Sequence, residues 1–432
     1  MRLSISDINK IGKADIKING LTVIAGTNDS GKSTVGKMLF SIIKALTNSK
    51  DSSKSIDDTI NTKVKALYRN LISFDQLYHT SIKRNIFGRT PPTNIAKLIK
   101  SQSEEVFDIM GRISAAMEEA EIKPLHKAVV NNLISEILDL MKESGTHEGM
   151  LKRELQAILK AEFMNSVCTY DTEQSTIVFS DESGSKELSV YLSDNNITEI
   201  KGGDGCFFDD ITLIESPLYL HIIDVLSSAR TFNEDERDVF SSLRPLVNYH
   251  IKDFAKKLES FKYSIVNSQT YNDDLQNINN ITGGSFSFDQ DSKNILWIKD
   301  NKKFQVVNVA SGIKSFGVMQ MLKGIDSINE RKILIWDEPE NHLHPEWQIK
   351  LAALLVEQAS KGIPILVTSH SPYFIQAIRY FSNKMKMEKF VNYYMADEQG
   401  NGTCIMNDYT EDLNKIFFKL AQPMNSIINI GL

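Results

Sequence analysis

Apolar and polar positions alternate near the start of the chain: Ile16 and Ile18 precede Asn19-Gly20, and Leu21, Val23 and Ile24 follow it. Alternation on both sides of an Asn-Gly pair predicts a β-hairpin whose second strand runs into Gly26. From Gly31 the spacing changes to Val35, Met38, Leu39, Ile42, Ile43 and Leu46, one stripe of a helix. The order is strand, glycine-containing loop, helix.

Residues 51–165 are polar with helical spacing, broken at Pro91-Pro92 and at a Gly145 to Gly149 turn and lacking sustained heptads, which predicts a helical insertion. Over 166–228 come short alternating runs, Ser175 to Phe179, Leu188 to Leu192 and Ile211 to Ile214, separated by turn-rich pieces such as Asp181 to Gly184. They predict antiparallel strands. Helical spacing returns over 229–282, and Gly283-Gly284 then leads into strand-like residues Phe286 to Val309. The rest of 283–432 is βαβ in character: a buried strand Ile333 to Trp336, a helix Pro345 to Ser360 opened by proline and closed near Gly362, and a buried strand Ile365 to Thr368. The fold class is therefore α/β, a core built from 1–50, 166–228 and 283–432 and interrupted by helical segments.

A length of 432 residues allows more than one core. With 41% hydrophobic and 24% charged residues the chain is neither disordered nor fibrous. The net charge of -6 leaves no overall field that would hold nucleic acid, so such contact would need a local patch. Segment 81–100 offers one, with Lys83, Arg84, Arg89, Lys97 and Lys100 and no acidic residue, although a solvated helical face is the plainer reading. Cys168, Cys206 and Cys404 have no metal-ligand spacing and read as free thiols of a reducing, cytoplasmic compartment. No apolar run reaches the roughly 18 residues of a membrane span, so a membrane role is not expected.

Four segments carry candidate chemistry. Gly26-Thr27-Asn28-Asp29-Ser30-Gly31-Lys32-Ser33 fits the phosphate-binding loop G-x-x-x-x-G-K-[ST] and lies between the expected strand and helix. Its glycines let backbone N–H groups wrap phosphates at a helix N-terminus. Gly26, Asn28, Ser30 and Gly31 would form the cradle, Lys32 would reach the β and γ phosphates, Ser33 would ligate Mg²⁺ and Thr34 would serve the α-phosphate. Second, the apolar run Ile333 to Trp336 delivers Asp337 and Glu338 to a strand end, on opposite sides, so that Asp337 can hold Mg²⁺ and Glu338 can polarise water. Third, His370 follows the neighbouring strand, where an imidazole can sense a γ-phosphate. Fourth, Ser311 and Gly312, with Lys314 beside them, open a helix carrying Phe316, Met319 and Leu322, and offer either a second anion cradle or an ordinary N-cap serine.

Taken in order, these segments resemble the ABC-type ATPases, in which a signature loop precedes the Asp-Glu strand and a switch histidine comes last. The resemblance implies a mixed β-sheet with flanking helices, ATP and Mg²⁺ as cofactors, and hydrolysis of ATP to ADP and phosphate. It also implies a homodimer, or a higher even-numbered homo-oligomer, in which Ser311 and Gly312 meet the γ-phosphate bound by a second copy. The wording Asp337-Glu338-Pro339-Glu340-Asn341-His342-Leu343-His344-Pro345 and Thr368-Ser369-His370-Ser371-Pro372 is similar to the OLD-like branch, which includes RecF-like and SMC-like relatives and the ATPase subunits of anti-phage systems such as Septu and PARIS. The signature departs from Ser-Gly-Gly-Gln, Asp29 replaces a glycine, and Glu215-Ser216 is the stand-in for the family's glutamine loop. About 60 residues follow His370, too few for the Toprim domain of OLD nucleases, so the resemblance implies that nuclease activity belongs to a separate effector. The leading expectation is a nucleotide-gated sensor in prokaryotic anti-phage defence. The alternatives are a DNA repair or maintenance ATPase that clamps DNA, and a structural scaffold that binds ATP and rarely turns it over.

Overall fold

A computed structural model describes all residues except 89–91, 93–94, 96–103, 121, 144–146, 171, 182–183, 204–207, 232–244, 263–272 and 431–432. In chain order its strands are β1 (Arg2–Ile8), β2 (Ile11–Lys17), β3 (Leu21–Ala25), β4 (Ser175–Ser180), β5 (Glu187–Ser193), β6 (Asn196–Gly202), β7 (Asp210–Ile214), β8 (Ser285–Asp289), β9 (Asn294–Lys299), β10 (Lys302–Gln305), β11 (Lys332–Trp336), β12 (Ile365–Ser369), β13 (Val391–Glu398) and β14 (Cys404–Asp408). The helices are α1 (Lys32–Leu77), α2 (Ile82–Phe87), α3 (Glu104–Glu119), α4 (Pro124–Glu143), α5 (His147–Phe163), α6 (Ile223–Ser228), α7 (Tyr249–Ser260), α8 (Asp273–Thr282), α9 (Ser311–Gly324), α10 (Pro345–Ser360), α11 (Pro372–Lys384) and α12 (Leu413–Ile430). They divide into a unit of Met1–Thr47 with Leu155–Leu432 and a second unit of Asn48–Glu154.

The larger unit holds an 11-stranded sheet in the order β6-β5-β4-β1-β2-β14-β13-β3-β12-β11-β7. One side, β6 to β2, is antiparallel throughout. On the other side β13, β3, β12, β11 and β7 run parallel. Every residue of β3 and β12 is buried, as is all of β7 and β11 beyond the first residue. That burial on both faces is why these strands read as unbroken apolar runs rather than alternations. The expected α/β class, a mixed sheet with flanking helices around a phosphate-binding loop, is the one observed.

Three expectations need correction. Asn19-Gly20 does not close a hairpin, since β13 and β14 lie between β2 and β3. A type I′ turn needs positive φ at both central residues, and here only Gly20 has it (φ 63). Its backbone instead passes so close to Phe390 that a Cβ would fall 2.4 Å from that carbonyl oxygen. Two of the hairpins that do form turn at Asp194-Asn195 (φ 49 and 64) and Asp300-Asn301 (φ 50 and 58), pairs with local hydrogen-bonding side chains that tolerate the left-handed region. Second, Ile211 to Ile214 is not antiparallel: β7 runs parallel to β11. Third, Gly149 lies inside α5, and the Gly145 part of that expected turn falls outside the described residues.

In the smaller unit Val64, Leu67 and Leu71 of α1 join Met110 and Ile113 of α3 and Ile134 and Ile137 of α4 in a core of their own. Among the basic residues of 81–100, the Lys83 ammonium donates to the Gly88 carbonyl at 3.0 Å and lies 4.8 Å over the Tyr68 ring. Arg89, Lys97 and Lys100 fall outside the described residues, as do Pro91, Glu182, Ser183 and Cys206. Cys168 and Cys404 are free thiols. Among the described residues no helix is long and apolar enough to cross a membrane.

Helix α7 is fastened to the large sheet by charge. Lys44 of α1 and Lys257 of α7 each meet Asp210, at the start of β7, and Asp253 of α7, at 2.7 to 2.9 Å. Burial would raise the Asp210 carboxyl, but Lys257 and Lys44 hold it down to about 2. Helix α9 is enclosed instead by apolar contacts, with every residue from Lys314 to Met319 buried. Where it passes under the three-stranded sheet β10-β9-β8, Gly317 faces Phe286 of β8 so closely that a Cβ would stand 2.2 Å from the ring. Gly317→Ala should therefore lower unfolding free energy by about 1–3 kcal/mol through overpacking. In urea denaturation, combining it with Phe286→Ala should cost less than the two changes summed, because the second removes the obstacle to the first.

Candidate functional site

The C-terminal ends of β3, β12, β11 and β7 lie within two residues of one another. Ser369 pairs with Ala25, and Trp336 pairs with both Val367 and Ile214. The residues that follow these ends, the Gly26 loop, Asp337-Glu338, His370 and Glu215, therefore gather on one edge, where ligands of parallel α/β sheets bind.

The loop after β3 closes on itself. Ser30 Oγ donates to the Thr27 carbonyl at 2.8 Å, and Lys32 Nζ donates to the same oxygen at 2.6 Å. Gly26 has no room for a side chain: a Cβ would stand 2.7 Å from Ser30 Oγ and 3.0 Å from Ala396 Cβ. Gly31 takes φ 81, a glycine region, whereas Asp29 takes φ 63 with a carboxylate paired to Lys10 of the β1–β2 turn. An open cavity is lined by Asn9, Lys10, Asn28 to Thr34, Asp337 and Glu338.

Ser33 Oγ, in the first turn of α1, donates to Asp337 Oδ2 at 2.7 Å. These oxygen donors suit a hard divalent cation such as Mg²⁺. Asp337 Oδ1 accepts from the Thr368 hydroxyl, whose oxygen in turn accepts the Glu338 N–H at 3.0 Å. One hydroxyl thus pins both acidic residues to β12. Glu338 Oε1 stands 3.4 Å from Lys32 Nζ and 3.3 Å from His370 Nδ1, and Oε2 accepts from Asn341 Nδ2 at 2.9 Å. Burial alone would raise this carboxyl; the Asn341 amide, Lys32 and His370 hold it below its ordinary value.

Lys32, Ser33, Asp337, Glu338 and His370 are thus brought together, although Gly26 and His370 do not line the cavity. Ser311, Gly312 and Lys314 do not line it either. Ser311 is not the N-cap of α9, a position taken by Ala310; its hydroxyl donates to the His342 carbonyl at 3.2 Å. Lys314 is buried, and burial lowers its ammonium. His342 and His344 belong to no group able to hold a metal among the described residues.

Sequence reading gave Thr368 and Glu340 no role, and nothing in local spacing marks either. Glu215, the stand-in for the glutamine loop, instead joins two buried residues that sequence reading did not single out, Glu162 and His250. His250 Nδ1 meets Glu162 Oε1 at 2.6 Å, and its Nε2 meets Glu215 Oε2 at 3.1 Å, an oxygen that also accepts from Tyr219 at 2.8 Å. Burial would lower the imidazole; Glu162 and Glu215 raise it to about 9, and the His250 hydrogen bond holds Glu215 down to about 2.

Residues 208–376 match the family model described as "AAA domain, putative AbiEii toxin, Type IV TA system". The matched segment runs from just before β7 into α11, so it contains Asp337, Glu338, His370 and α9 but not the phosphate-binding loop. Among solved structures the chain is similar to the SMC head domain from Thermotoga maritima at 11% identity and a TM-score of 0.39, covering 94% of this chain and 97% of that one. It is also similar to the Smc head domain with an extended coiled coil bound to the C-terminal domain of ScpA from Pyrococcus furiosus, at 12% identity and a TM-score of 0.40, covering 97% and 98%. No curated protein matches the chain.

The trio has a pH signature. A raised histidine stabilises the fold fully below its unfolded value near 6.5 and loses that contribution as pH rises through about 9. Thermal unfolding across pH 7 to 10 should show wild type losing up to about 3 kcal/mol, while His250→Gln starts lower and lacks this limb.

Proposed function

We propose that the chain binds ATP with Mg²⁺ and hydrolyses it in the manner of ABC-type ATPases. The convergence of Lys32 and Ser33 with Asp337, Glu338 and His370 on one sheet edge supports this reading, because that set holds a polyphosphate, a cation and a water. The helix N-terminus at Lys32 and the loop's N–H groups take the phosphates. Ser33 and Asp337 are the cation's protein ligands, and the ion when bound supplies charge neutralisation at the β and γ oxygens. Lys32, held in place by the Thr27 carbonyl and Glu338, turns to the γ-phosphate, which releases Glu338 Oε1 to orient water. Water oxygen then bonds to the γ-phosphorus as one of its protons passes to Glu338 and on to solvent, the bond to the β–γ bridging oxygen breaks, and ADP leaves with that electron pair.

In this reading two copies close head to tail, and Ser311 and Gly312 of each face the nucleotide of the other. The nucleotide-gated assembly controls a separate effector, a nuclease, in anti-phage defence. The OLD-like wording around Asp337 and His370 supports the defence role, and so does the matched family's description as a putative toxin of a type IV TA system.

Calorimetry should detect ATP uptake by wild type that Lys32→Ala abolishes. Glu338→Gln should keep ATP binding, lose at least about 100-fold in phosphate release, and run as a dimer in ATP and a monomer without it. Hydrolysis by Glu338→Gln at the wild-type rate would sink the assignment of the water-orienting group. For the wider role, deletion should raise phage plating, and the chain should retain a co-expressed product of the adjoining reading frame; unchanged plating with no retained partner rejects it.

A further inference from the structure

Glu340 lies two residues beyond Glu338 and is 3% exposed. Its Oε1 accepts from Ser369 Oγ at 2.6 Å, His370 N at 3.0 Å and Ser371 N at 3.2 Å. Three donors from consecutive residues centred on His370 converge on one oxygen. Oε2 is buried and has no hydrogen-bond partner among the described residues. A residue needed only to fill space would not be a buried acid with half of its acceptor capacity idle, since an apolar side chain of similar volume packs there without the desolvation cost.

The loop that carries Glu340 is itself constrained. Glu338 (φ 44) and His342 (φ 62), on either side of it, occupy the left-handed region without being glycine. Such conformations persist only where surrounding contacts impose them. Leu343 N donates to the Glu340 carbonyl at 3.0 Å, and Gln348 bridges the loop to the His370 turn, donating to the Leu343 carbonyl at 3.1 Å while its Oε1 accepts from Ser371 Oγ at 2.8 Å. At the far end the loop grips α9: the His342 carbonyl accepts from Ser311, and a Cβ on Gly312 would sit 3.3 Å from both Leu343 and Trp347. A continuous path of contacts therefore runs from Lys32 through Glu338, His370 and Glu340 to the first turn of α9.

We propose that Glu340 is a positioning residue that welds the His370 turn to the 338–343 loop, so that movement of His370 on γ-phosphate binding or loss is delivered within the same chain to Ser311 and Gly312. The inference rests on the ATP reading above and adds to it a route by which one chain's nucleotide sets the presentation of its own signature helix. Neither Glu340 nor Gln348 touches the nucleotide cavity, so their part is to fix geometry.

The test uses the full chain labelled with 5-fluorotryptophan, with the Trp347 fluorine resonance assigned by Trp347→Phe. In wild type, ATP with Mg²⁺ should shift that resonance. In Glu340→Gln the dissociation constant for ATP should stay within about threefold, while kcat falls about 10- to 100-fold and the ATP-induced shift disappears. A residue with a purely structural role would lower the melting temperature and leave the shift in place. Should Glu340→Gln not fold, Ser369→Ala removes one of the three donors and keeps the carboxylate, and it should reduce both kcat and the shift. Retention of wild-type kcat and a full Trp347 shift in whichever of the two variants folds overturns the inference and leaves the ATP reading standing. Wild type that takes up no ATP overturns the ATP reading and the inference together.

Discussion

The parallel register of β3, β12, β11 and β7 is the constraint from which the rest of the site follows. Side chains alternate along a strand, so a slip of one residue between β11 and β12 would turn Asp337 away from Ser33 and put Trp336 at the edge. The level pairing of Trp336 with Val367 and Ile214 prevents this, backed by strands whose two faces are both buried. The Thr368 hydroxyl then converts strand register into side-chain placement, because it holds Asp337 through the carboxylate and Glu338 through the backbone.

Much of this edge was legible in the residue order. The loop Gly26 to Ser33, the run Ile333 to Trp336 and the strand before His370 each fall where their apolar periods put them, and the proline-opened helix begins at Pro345. What could not be read depends on partners distant in sequence. Asn19-Gly20 has the composition of a hairpin turn, yet β3 is hydrogen-bonded along both edges to β12 and β13 rather than to β2. Ile211 to Ile214 looks like its antiparallel predecessors because strand direction leaves no mark in a short apolar run. Glu340 and Thr368 gain meaning only when β11 and β12 lie side by side.

Burial of charge is concentrated where α7 meets the sheet. His250, Asp253 and Lys257 recur at helical spacing along it, and they engage Glu162 and Glu215, Lys44 and Asp210. Such pairs add little net stability over an apolar contact, but leaving one member unmatched is costly. They therefore fix the seating of α7 on α1 and β7 more than they deepen the fold. Glu215 directly follows β7, whose last residue, Ile214, accepts the Asp337 N–H at its carbonyl at 2.8 Å, so the seating of α7 reaches the edge where the acidic pair stands.

The central position of β3 also has a consequence for synthesis. Its two neighbours, β12 and β13, are drawn from residues 365–369 and 391–398, so a ribosome has made most of the chain before either flank exists. Until then an apolar strand with both edges unpaired leads directly into the glycine loop, a form prone to wrong pairing and unable to hold the loop's shape. The shape of the Gly26 loop is thus set late in translation, after the acidic strand and the histidine turn have been made.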